Sequence, residues 1–339
     1  MAFEDYATYR EIVTQAQAWA QALELARGVS LGELTEDPDE VIFAGCGSTY
    51  YLSMAAAVLC EELTGRRARA TSAGELLLNP RTVLTGRRTR LVAVSRSGTT
   101  SETVKVAETF KNEARGDVIV ISNNAERLSE YGDATIIITR GQEESVAQTR
   151  SFSSMYVAAA ALCARIAGRT DLLDAMEGLP KAGDRLIARY GAQARELGEN
   201  LSYDRFYFLG SGTRHGLACE ASLKMKEMSL THSEAFHFLE FRHGPMSMAG
   251  PGTCILGLLS ESSARHEKAV LAEMQALGAR TTSLAESGDG VAFDSGIPEA
   301  ARGVLYLPFL QLVAFHRSLA KGLNPDRPKN LTGVVKLDL

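Results

Sequence analysis

The chain has 339 residues, of which 45% are hydrophobic, so it is long enough for two ordinary domains with packed cores. Its formal net charge of −5 at pH 7 argues against a nucleic-acid partner, because a general nucleic-acid surface needs a basic face. The five cysteines are scattered and form no Cys-x-x-Cys pair, which argues against a zinc ribbon and indicates reduced thiols.

Two further features bear on localisation. The longest nearly apolar run, residues 155–164, is too short to cross a bilayer. The N-terminus carries Glu4 and Asp5, whereas a secretory signal begins with basic residues. We therefore expect a cytoplasmic protein without a membrane partner.

The first half of the chain predicts an alternation of strands and helices. A helix is predicted over residues 4–29, with an apolar stripe that includes Tyr9, Ile12 and Leu23. The strands that follow are predicted at 41–44, 91–94, 118–121 and 134–138, and the helices at 48–64 and 100–113. Such alternation is typical of a parallel sheet covered by helices on both faces. Residues 150–198 are predicted to be mostly helical.

The second half repeats the opening of the first. Residues 41–49 align with residues 206–214, and each segment is an apolar strand followed by Gly-x-Gly, a hydroxyl residue and a helix. Strands are predicted at 206–209, 254–258, 281–284 and 304–307, before a last helix at 309–321. We therefore expect two related α/β domains in tandem. The predicted boundaries are an N-terminal helix at 1–30, a first domain at 31–170, a helical connection at 171–200, a second domain at 201–325 and a tail at the active site at 326–339.

The two Gly-x-Gly turns do not complete a dinucleotide fingerprint. That fingerprint needs a third glycine three residues later, but the chain has Tyr50 and His215 at those positions. No Gly-Lys-Ser/Thr occurs either, so a P-loop is excluded. The glycines are expected instead to let the backbone approach a small ligand closely.

A hydroxyl-rich segment follows the predicted strand at 91–94. Six Ser or Thr residues fall within positions 95–103, where a helix is predicted to begin. A helix start offers unpaired backbone N–H groups and the positive end of the helix dipole, so this segment predicts a phosphate cradle. The alternative is simple helix capping, which needs only one of these hydroxyls.

Titratable residues cluster in the second domain. Glu220, Lys224 and Glu227 are spaced to share one helix face, either as chemical groups or as a solvated face with a weak ion pair. His243 precedes Gly-Pro, which places it on a loop, and a histidine there suits proton transfer to sugar oxygens or is simply structural. The histidines of this region lack the spacing of a metal site, so no metal is expected.

Taken in order, these motifs resemble the SIS (sugar isomerase) family with two tandem SIS domains. They are most similar to the isomerase half of the glucosamine-6-phosphate synthases. The resemblance implies two doubly wound, flavodoxin-like α/β domains. The motifs that carry it are Cys46–Thr49, Ser95–Thr100, Glu143–Arg150, Glu220–Glu227, Glu240–Pro245 and Asp326–Leu331.

The resemblance also implies roles for single residues. Glu227 matches the acid/base that moves a proton between C1 and C2, with Lys224 beside it. His243 matches the histidine that opens the sugar ring and comes from the neighbouring subunit, which implies a homodimer with shared active sites. The implied phosphate loop is Ser95, Arg96, Ser97 and Thr100, and the other implied substrate-binding positions are Gly47, Ser48, Thr49, the backbone of Val146, and Gln148.

Two departures from the synthases shape the expected reaction. No glutaminase domain precedes the matching region, so the chain is not expected to draw nitrogen from glutamine by itself. The synthases end in Asn-Leu-Ala-Lys, whereas this chain has Gly333 in place of that lysine and its next lysine is Lys336. A glycine side chain cannot form an imine with the sugar.

The expected function is therefore a cofactor-free isomerase or deaminase that acts on an amino-sugar 6-phosphate. Three alternatives stay open. These are a simple aldose–ketose 6-phosphate isomerase, a transaminase half that works with a separate glutaminase, and a non-catalytic phosphosugar-sensing protein. The acidic pI and the single helix before residue 30 argue against a DNA-binding sensor.

Overall fold

The computed structural model describes residues 2–32, 34, 38–84, 88–335 and 337. They form two compact units, each described here on its own. Unit N comprises Gln17–Glu143, Arg150–Glu177 and Thr332–Leu339. Unit C comprises Met1–Ala16, Glu144–Thr149 and Gly178–Leu331. The domain boundaries given above stay a prediction.

Unit N holds a five-stranded parallel sheet in the order β2-β1-β3-β4-β5. Its strands are β1 Glu40–Gly45, β2 Ala68–Ser72, β3 Thr89–Ser95, β4 Val118–Ser122 and β5 Ala134–Ile137. Its helices are α3 Ser48–Thr64, α4 Ala73–Leu78, α5 Pro80–Val83, α6 Ser101–Asn112, α7 Arg150–Ile166 and α8 Thr170–Met176. Ile42 packs in one cluster with Val104 and Phe110 of α6, while Phe43 on the opposite face is also fully buried. Both faces of the sheet are therefore covered, as parallel sheets require.

Unit C repeats this arrangement with the strand order β10-β9-β8-β6-β7. Its strands are β6 Arg205–Gly210, β7 His232–Phe236, β8 Thr253–Leu258, β9 Arg280–Ala285 and β10 Val291–Ala292. Its helices are α1 Ala7–Val13, α9 Leu179–Glu199, α10 Thr213–Ser229, α11 Ala264–Ala276 and α12 Leu307–Ala320. In chain order β6 to β10 take the places of β1 to β5, so the predicted pair of doubly wound α/β sheets is confirmed.

The strand predicted at 304–307 is wrong. Residues Gly303–Tyr306 form a 3₁₀ turn that leads directly into α12. Val304 and Leu305 are buried, as a central strand would be, and a short run of buried apolar residues does not distinguish strand from helix. The last strand of this sheet is the short β10 instead.

The single helix predicted at 4–29 is also wrong in detail. Helix α1 ends at Val13 and α2, Gln15–Gly28, begins after Thr14, whose backbone is not helical. After the break, Ala20 is exposed although the predicted apolar stripe also included it, whereas Trp19 is 1% exposed. The Trp19 indole donates a hydrogen bond of 2.8 Å to Ser153 Oγ.

Within the described part of the chain, no helix combines the length and apolar character needed to cross a membrane.

A buried histidine lies in the aromatic core of unit C. His316 on α12 is 3% exposed, and its ring lies 5.0 Å from that of Phe3 and 5.1 Å from that of Phe315. Burial lowers the pKa of His316 to about 4. The imidazole is therefore neutral when folded, whereas the unfolded chain takes up a proton near pH 6.5.

This difference in pKa predicts an acid-sensitive fold. Because the unfolded state binds the proton first, the stabilising contribution is complete above about pH 6.5 and is lost as the pH falls toward 4. We expect the free energy of unfolding to fall by roughly 1–3 kcal/mol over that window from this group. Urea unfolding at a series of pH values should show a shallower slope for His316→Phe. Exposed His266→Phe is the control, and equal slopes in both variants would contradict the assignment.

Candidate functional site

The hydroxyl-rich segment lies at the carboxyl end of the central strand of unit N. Strand β3 ends at Ser95, and α6 begins at Ser101 after a five-residue loop, 96–100; Ser95 and this loop together are called the phosphate loop, after their predicted role. Thr100 is the N-cap residue of α6, but its side chain makes no capping hydrogen bond. The interpretation that these hydroxyls serve only as caps is therefore not supported, and the first turn of α6 keeps its anion-attracting N–H groups.

The hydroxyls shape the phosphate loop. Ser97 Oγ accepts hydrogen bonds of 3.2 Å from both the N–H and the hydroxyl of Thr99. Ser95 Oγ accepts a 3.2 Å bond from the N–H of Gly98 and lies 3.3 Å from Thr100 Oγ1. Ser95 is 2% exposed, so it supports the loop from inside, whereas Ser97, Thr99 and Thr100 are partly exposed. Apart from Arg96, the loop thus presents hydroxyls that carry no formal charge of their own.

The charge of Arg96 is balanced within the same unit. Its Nη1 lies 3.8 Å from Glu143 Oε2, and its Nη2 donates a 2.7 Å hydrogen bond to the carbonyl of Gly333. The Glu143 carboxylate is fully buried and also accepts a 3.0 Å bond from the N–H of Ser151 at the start of α7. Because Glu143 offsets Arg96, an anion at this loop would be held mainly by hydrogen bonds and the helix dipole.

The tail residue that departs from the synthases lies against this loop. A Cβ built at Gly333 would meet Arg96 Nη2 at 3.5 Å, an ordinary van der Waals distance. A longer side chain at position 333 is therefore not excluded by sterics at its Cβ. Lys336, the next lysine, lies outside the described residues.

The first Gly-x-Gly turn joins β1 to α3. A Cβ at Gly45 would lie 2.5 Å from Thr49 Oγ1 and 2.7 Å from the Thr49 carbonyl carbon, so only glycine lets the strand meet the helix so closely. Gly47, the N-cap residue of α3, has a φ of 57°, which also favours glycine. Ser48 is 4% exposed and opens the helix. The expectation that these glycines serve a ligand is corrected at Gly45, where the close approach is to the chain's own helix.

Thr49 is buried beneath this turn. Its hydroxyl donates a 2.9 Å hydrogen bond to the carbonyl of Cys46 and accepts one of 2.9 Å from the N–H of the same residue. The side chain therefore stabilises the turn, and its contact with a sugar stays a prediction.

The same geometry recurs at the second turn, between β6 and α10. A Cβ at Gly210 would lie 2.5 Å from the carbonyl oxygen of Arg214, and Gly212 has a φ of 58°. The internal repeat seen in the sequence thus has a steric cause, which is close packing of a strand against the helix that follows it.

The loop that contains Val146 and Gln148 belongs to unit C. The N–H of Val146 donates a 3.0 Å hydrogen bond to the carbonyl of Asp326, and the Asp326 carboxylate accepts a 2.8 Å bond from the N–H of Thr8 in α1. Gln148 is half-buried, and its Oε1 has no hydrogen-bond partner among the described residues. The tail motif and the N-terminal helix are therefore tied to this loop.

Glu11 of α1, which the sequence analysis missed, also binds the loop that contains Val146. The Glu11 carboxylate is 3% exposed and accepts hydrogen bonds from the N–H groups of Glu144, at 2.6 Å, and Ser145, at 3.2 Å. The sequence signal for this role was weak: a single glutamate next to the apolar residues of the helix stripe.

The titratable residues of α10 form a buried ion cluster. Glu220 is 1% and Lys224 2% exposed, so the alternative of a solvated face is wrong. Lys224 Nζ lies 3.4 Å from Glu220 Oε1 and is hydrogen-bonded to Glu227 Oε2. Leu217 and Met225 of the neighbouring stripe are fully buried, which fixes the orientation of the helix.

The two carboxylates decide the protonation state of Lys224. Burial alone would lower the pKa of Lys224, but the charges of Glu220 and Glu227 outweigh burial and raise that pKa above its ordinary value. Lys224 is therefore an ammonium ion near neutral pH. Such a group holds a carboxylate in place and cannot act as an imine-forming amine.

His243 lies on a shaped loop, as predicted. It follows the 3₁₀ turn Glu240–Arg242 and precedes Gly244, whose φ is 121°. The residue is exposed, and no hydrogen bond of its ring occurs within the described part of the chain. The imidazole is thus free to meet a ligand from solvent, and its catalytic role stays a prediction.

Removal of the Lys224 ammonium from the ion cluster should destabilise the fold. Lys224→Met removes the ammonium that the two carboxylates share, one of them fully buried, and should lower the free energy of unfolding by about 3–5 kcal/mol. Lys105→Met is the matched control, because it breaks a more exposed pair with Glu108 and should cost less than about 1 kcal/mol. Urea unfolding measures both, and equal losses would contradict the buried cluster.

Known proteins match nearly the whole length of this chain. Residues 34–165 and 202–293 match the SIS domain family. Glutamine–fructose-6-phosphate aminotransferases are relatives: that of Methanothermobacter thermautotrophicus is 26% identical over 99% of this chain and 56% of its own length. That of Aeropyrum pernix is 30% identical over 87% of this chain and 49% of its own length. The chain thus spans about half the length of the curated relatives it matches.

Solved structures agree along nearly the full length. A glucosamine-6-phosphate deaminase from Thermotoga maritima is 26% identical, with a TM-score of 0.77, and the match covers 98% of this chain and 100% of that one. A protein of Clostridium novyi described as a putative tagatose-6-phosphate ketose/aldose isomerase shares the fold, with a TM-score of 0.86 at 20% identity over 98% of this chain and 94% of that one. With two matching segments that cover most of the sequence, this chain belongs to the SIS domain family.

Proposed function

We propose that this chain converts an amino-sugar 6-phosphate of the glucosamine-6-phosphate type into the corresponding ketose 6-phosphate and ammonia, without a cofactor. The observation that carries the proposal is the Glu227 carboxylate of unit C, which a buried ammonium fixes; the hydroxyl-lined phosphate loop of unit N would supply the anion site. The similarity to a deaminase over 98% of this chain and the whole of that one supports the same reaction.

The phosphate loop would hold the end of the substrate remote from the reacting carbons. Its partly exposed hydroxyls at Ser97, Thr99 and Thr100 and the first N–H groups of α6 suit the three terminal oxygens of a phosphoryl group. Binding energy from a remote group orients the reacting carbons and lowers the barrier of the chemical step.

Glu227 would move one proton along the sugar. After ring opening, its carboxylate takes the proton from C2 and an enolamine forms; the proton is then delivered to C1, which becomes a CH₂OH group. The nitrogen is left as an imine at C2, to which water adds before ammonia leaves. The overall change consumes one water and releases one ammonia, so no oxidant or reductant is needed. Lys224, as a fixed ammonium, would hold this carboxylate in one orientation.

His243 would open the ring by protonating the ring oxygen. Its exposed imidazole on a loop shaped by Gly244 is accessible for this purpose. The resemblance to the synthases assigns this histidine to the site of a neighbouring subunit, and we therefore include a homodimer with shared active sites in the proposal.

Deamination is favoured over amination by the tail. The residue beside Arg96 is Gly333, where the synthases carry a lysine, and Lys224 is held as an ammonium. Neither group can form an imine with the open-chain sugar, so the reaction proposed here proceeds without a covalent intermediate.

Incubation with glucosamine-6-phosphate should release ammonia and fructose-6-phosphate in equal amounts. Glu227→Gln should lower kcat by roughly 10²–10⁴-fold with little change in KM, because only proton transfer is lost. Thr99→Val should instead raise KM. Exposed Glu62→Gln is the control and should leave both constants unchanged.

The alternatives give different results in the same assay. Interconversion of aldose and ketose 6-phosphates without ammonia would identify a simple isomerase, and ligand-induced thermal stabilisation without turnover of any phosphosugar would identify a sensor. Ammonia release that persists unchanged in Glu227→Gln would remove that residue from its role.

A further inference from the structure

The internal repeat gives the phosphate loop a counterpart in the second SIS domain. Strand β8 occupies the place of β3, and α11 the place of α6. The connecting loops have the same length, residues 96–100 in the first domain and 259–263 in the second. Each loop follows the middle strand of its sheet, the position where this fold approaches an anion most readily.

At the start of the second loop, the N–H and the hydroxyl of Ser260 are hydrogen-bonded to a buried carboxylate. Glu267 on α11 is 2% exposed, and its Oε2 accepts hydrogen bonds from the N–H of Ser260, at 2.7 Å, and its hydroxyl, at 3.1 Å. Ser260 Oγ also accepts a 2.9 Å bond from the N–H of Ser263. The first loop is thus held by its own hydroxyls, whereas this end of the second loop is held by a carboxylate of α11.

The next N–H of the second loop binds another carboxylate from outside the loop. Glu299 Oε2 accepts a 3.0 Å hydrogen bond from the N–H of Glu261, the position that corresponds to Gly98. Glu299 Oε1 forms an ion pair with the guanidinium of Arg214, at the start of α10. The Glu299 side chain therefore lies between a loop N–H and an arginine.

A second arginine faces the same loop from the buried side. Arg302 is 1% exposed, and its Nη1 lies 2.8 Å from Glu261 Oε1. Its Nη2 has no hydrogen-bond partner among the described residues. Its Nε lies 3.5 Å from Glu286 Oε2, so Arg302 has two carboxylate partners and keeps one further donor, Nη2.

We propose that the second SIS domain holds an anion site at residues 260–263 that the Glu299 carboxylate closes from within. Glu299 takes the position of a phosphoryl group, so the chain presents one open phosphate loop instead of two. When Glu299 is removed, the site becomes available to inorganic phosphate or to the phosphoryl group of a phosphomonoester. This inference goes beyond the proposed reaction and does not depend on turnover.

Titration calorimetry of the full chain with inorganic phosphate tests the proposal. Glu299→Ala should bind one more phosphate per chain than the unaltered protein, because space and donors are released together. The double variant Glu299→Ala/Arg214→Gln should lose that additional phosphate. Glu62→Ala, which removes an exposed carboxylate of the first domain, should bind the same number as the unaltered protein.

Circular dichroism confirms folding of each variant, and Glu299→Ser replaces Glu299→Ala if the latter does not fold. An unchanged number of bound phosphates in the folded variant would overturn the proposal, as would an additional phosphate that persists without Arg214 or appears in Glu62→Ala. If the unaltered chain binds none and Glu299→Ala binds one, the phosphate loop of the proposed function fails while the present inference stands.

Discussion

Both SIS domains depend on one steric constraint, the close approach of the first strand to the helix that follows it. A side chain at Gly45 or Gly210 would collide with the backbone of the residue four positions later. This contact places the starts of α3 and α10 at the carboxyl ends of their strands. Ligands of open α/β sheets bind at that edge. Because Glu220, Lys224 and Glu227 are carried by α10, the placement of the ion cluster follows from a glycine at the end of β6.

Buried carboxylates hold other loops of the two units. Glu11 accepts the N–H of Ser145, Glu143 that of Ser151, and Glu267 that of Ser260. Each glutamate replaces water as the acceptor for backbone groups that folding removes from solvent, which fixes the loop without a long stretch of regular structure. The phosphate loop differs because its own hydroxyls shape it and the charge of Arg96 is offset by Glu143. The proposed recognition of a phosphoryl group would therefore rest on directed hydrogen bonds rather than on net charge.

The sequence predicted the fold and the motifs well, because alternating apolar strands, the repeated Gly-x-Gly turn and the spacing of Glu220, Lys224 and Glu227 are local signals. It failed where burial alone had to separate strand from helix, at 304–307. The break at Thr14 was also missed, since no glycine or proline marks it. The sequence could not predict the roles of Glu11, Glu143 and Glu299, because the residues that they bind lie 8 to 134 positions away in the chain. No periodicity of the sequence indicates such pairings.

The central claim is that a hydroxyl-lined loop at the start of α6, in which Glu143 offsets the charge of Arg96, binds the phosphoryl group of the substrate. A crystal structure with a bound hexosamine 6-phosphate tests it most directly. The account predicts phosphoryl oxygens within hydrogen-bond distance of the hydroxyls of Ser97 and Thr99 and of the first N–H groups of α6, with Arg96 still beside Glu143. A phosphoryl group bound elsewhere, with this loop in contact with water only, would contradict it.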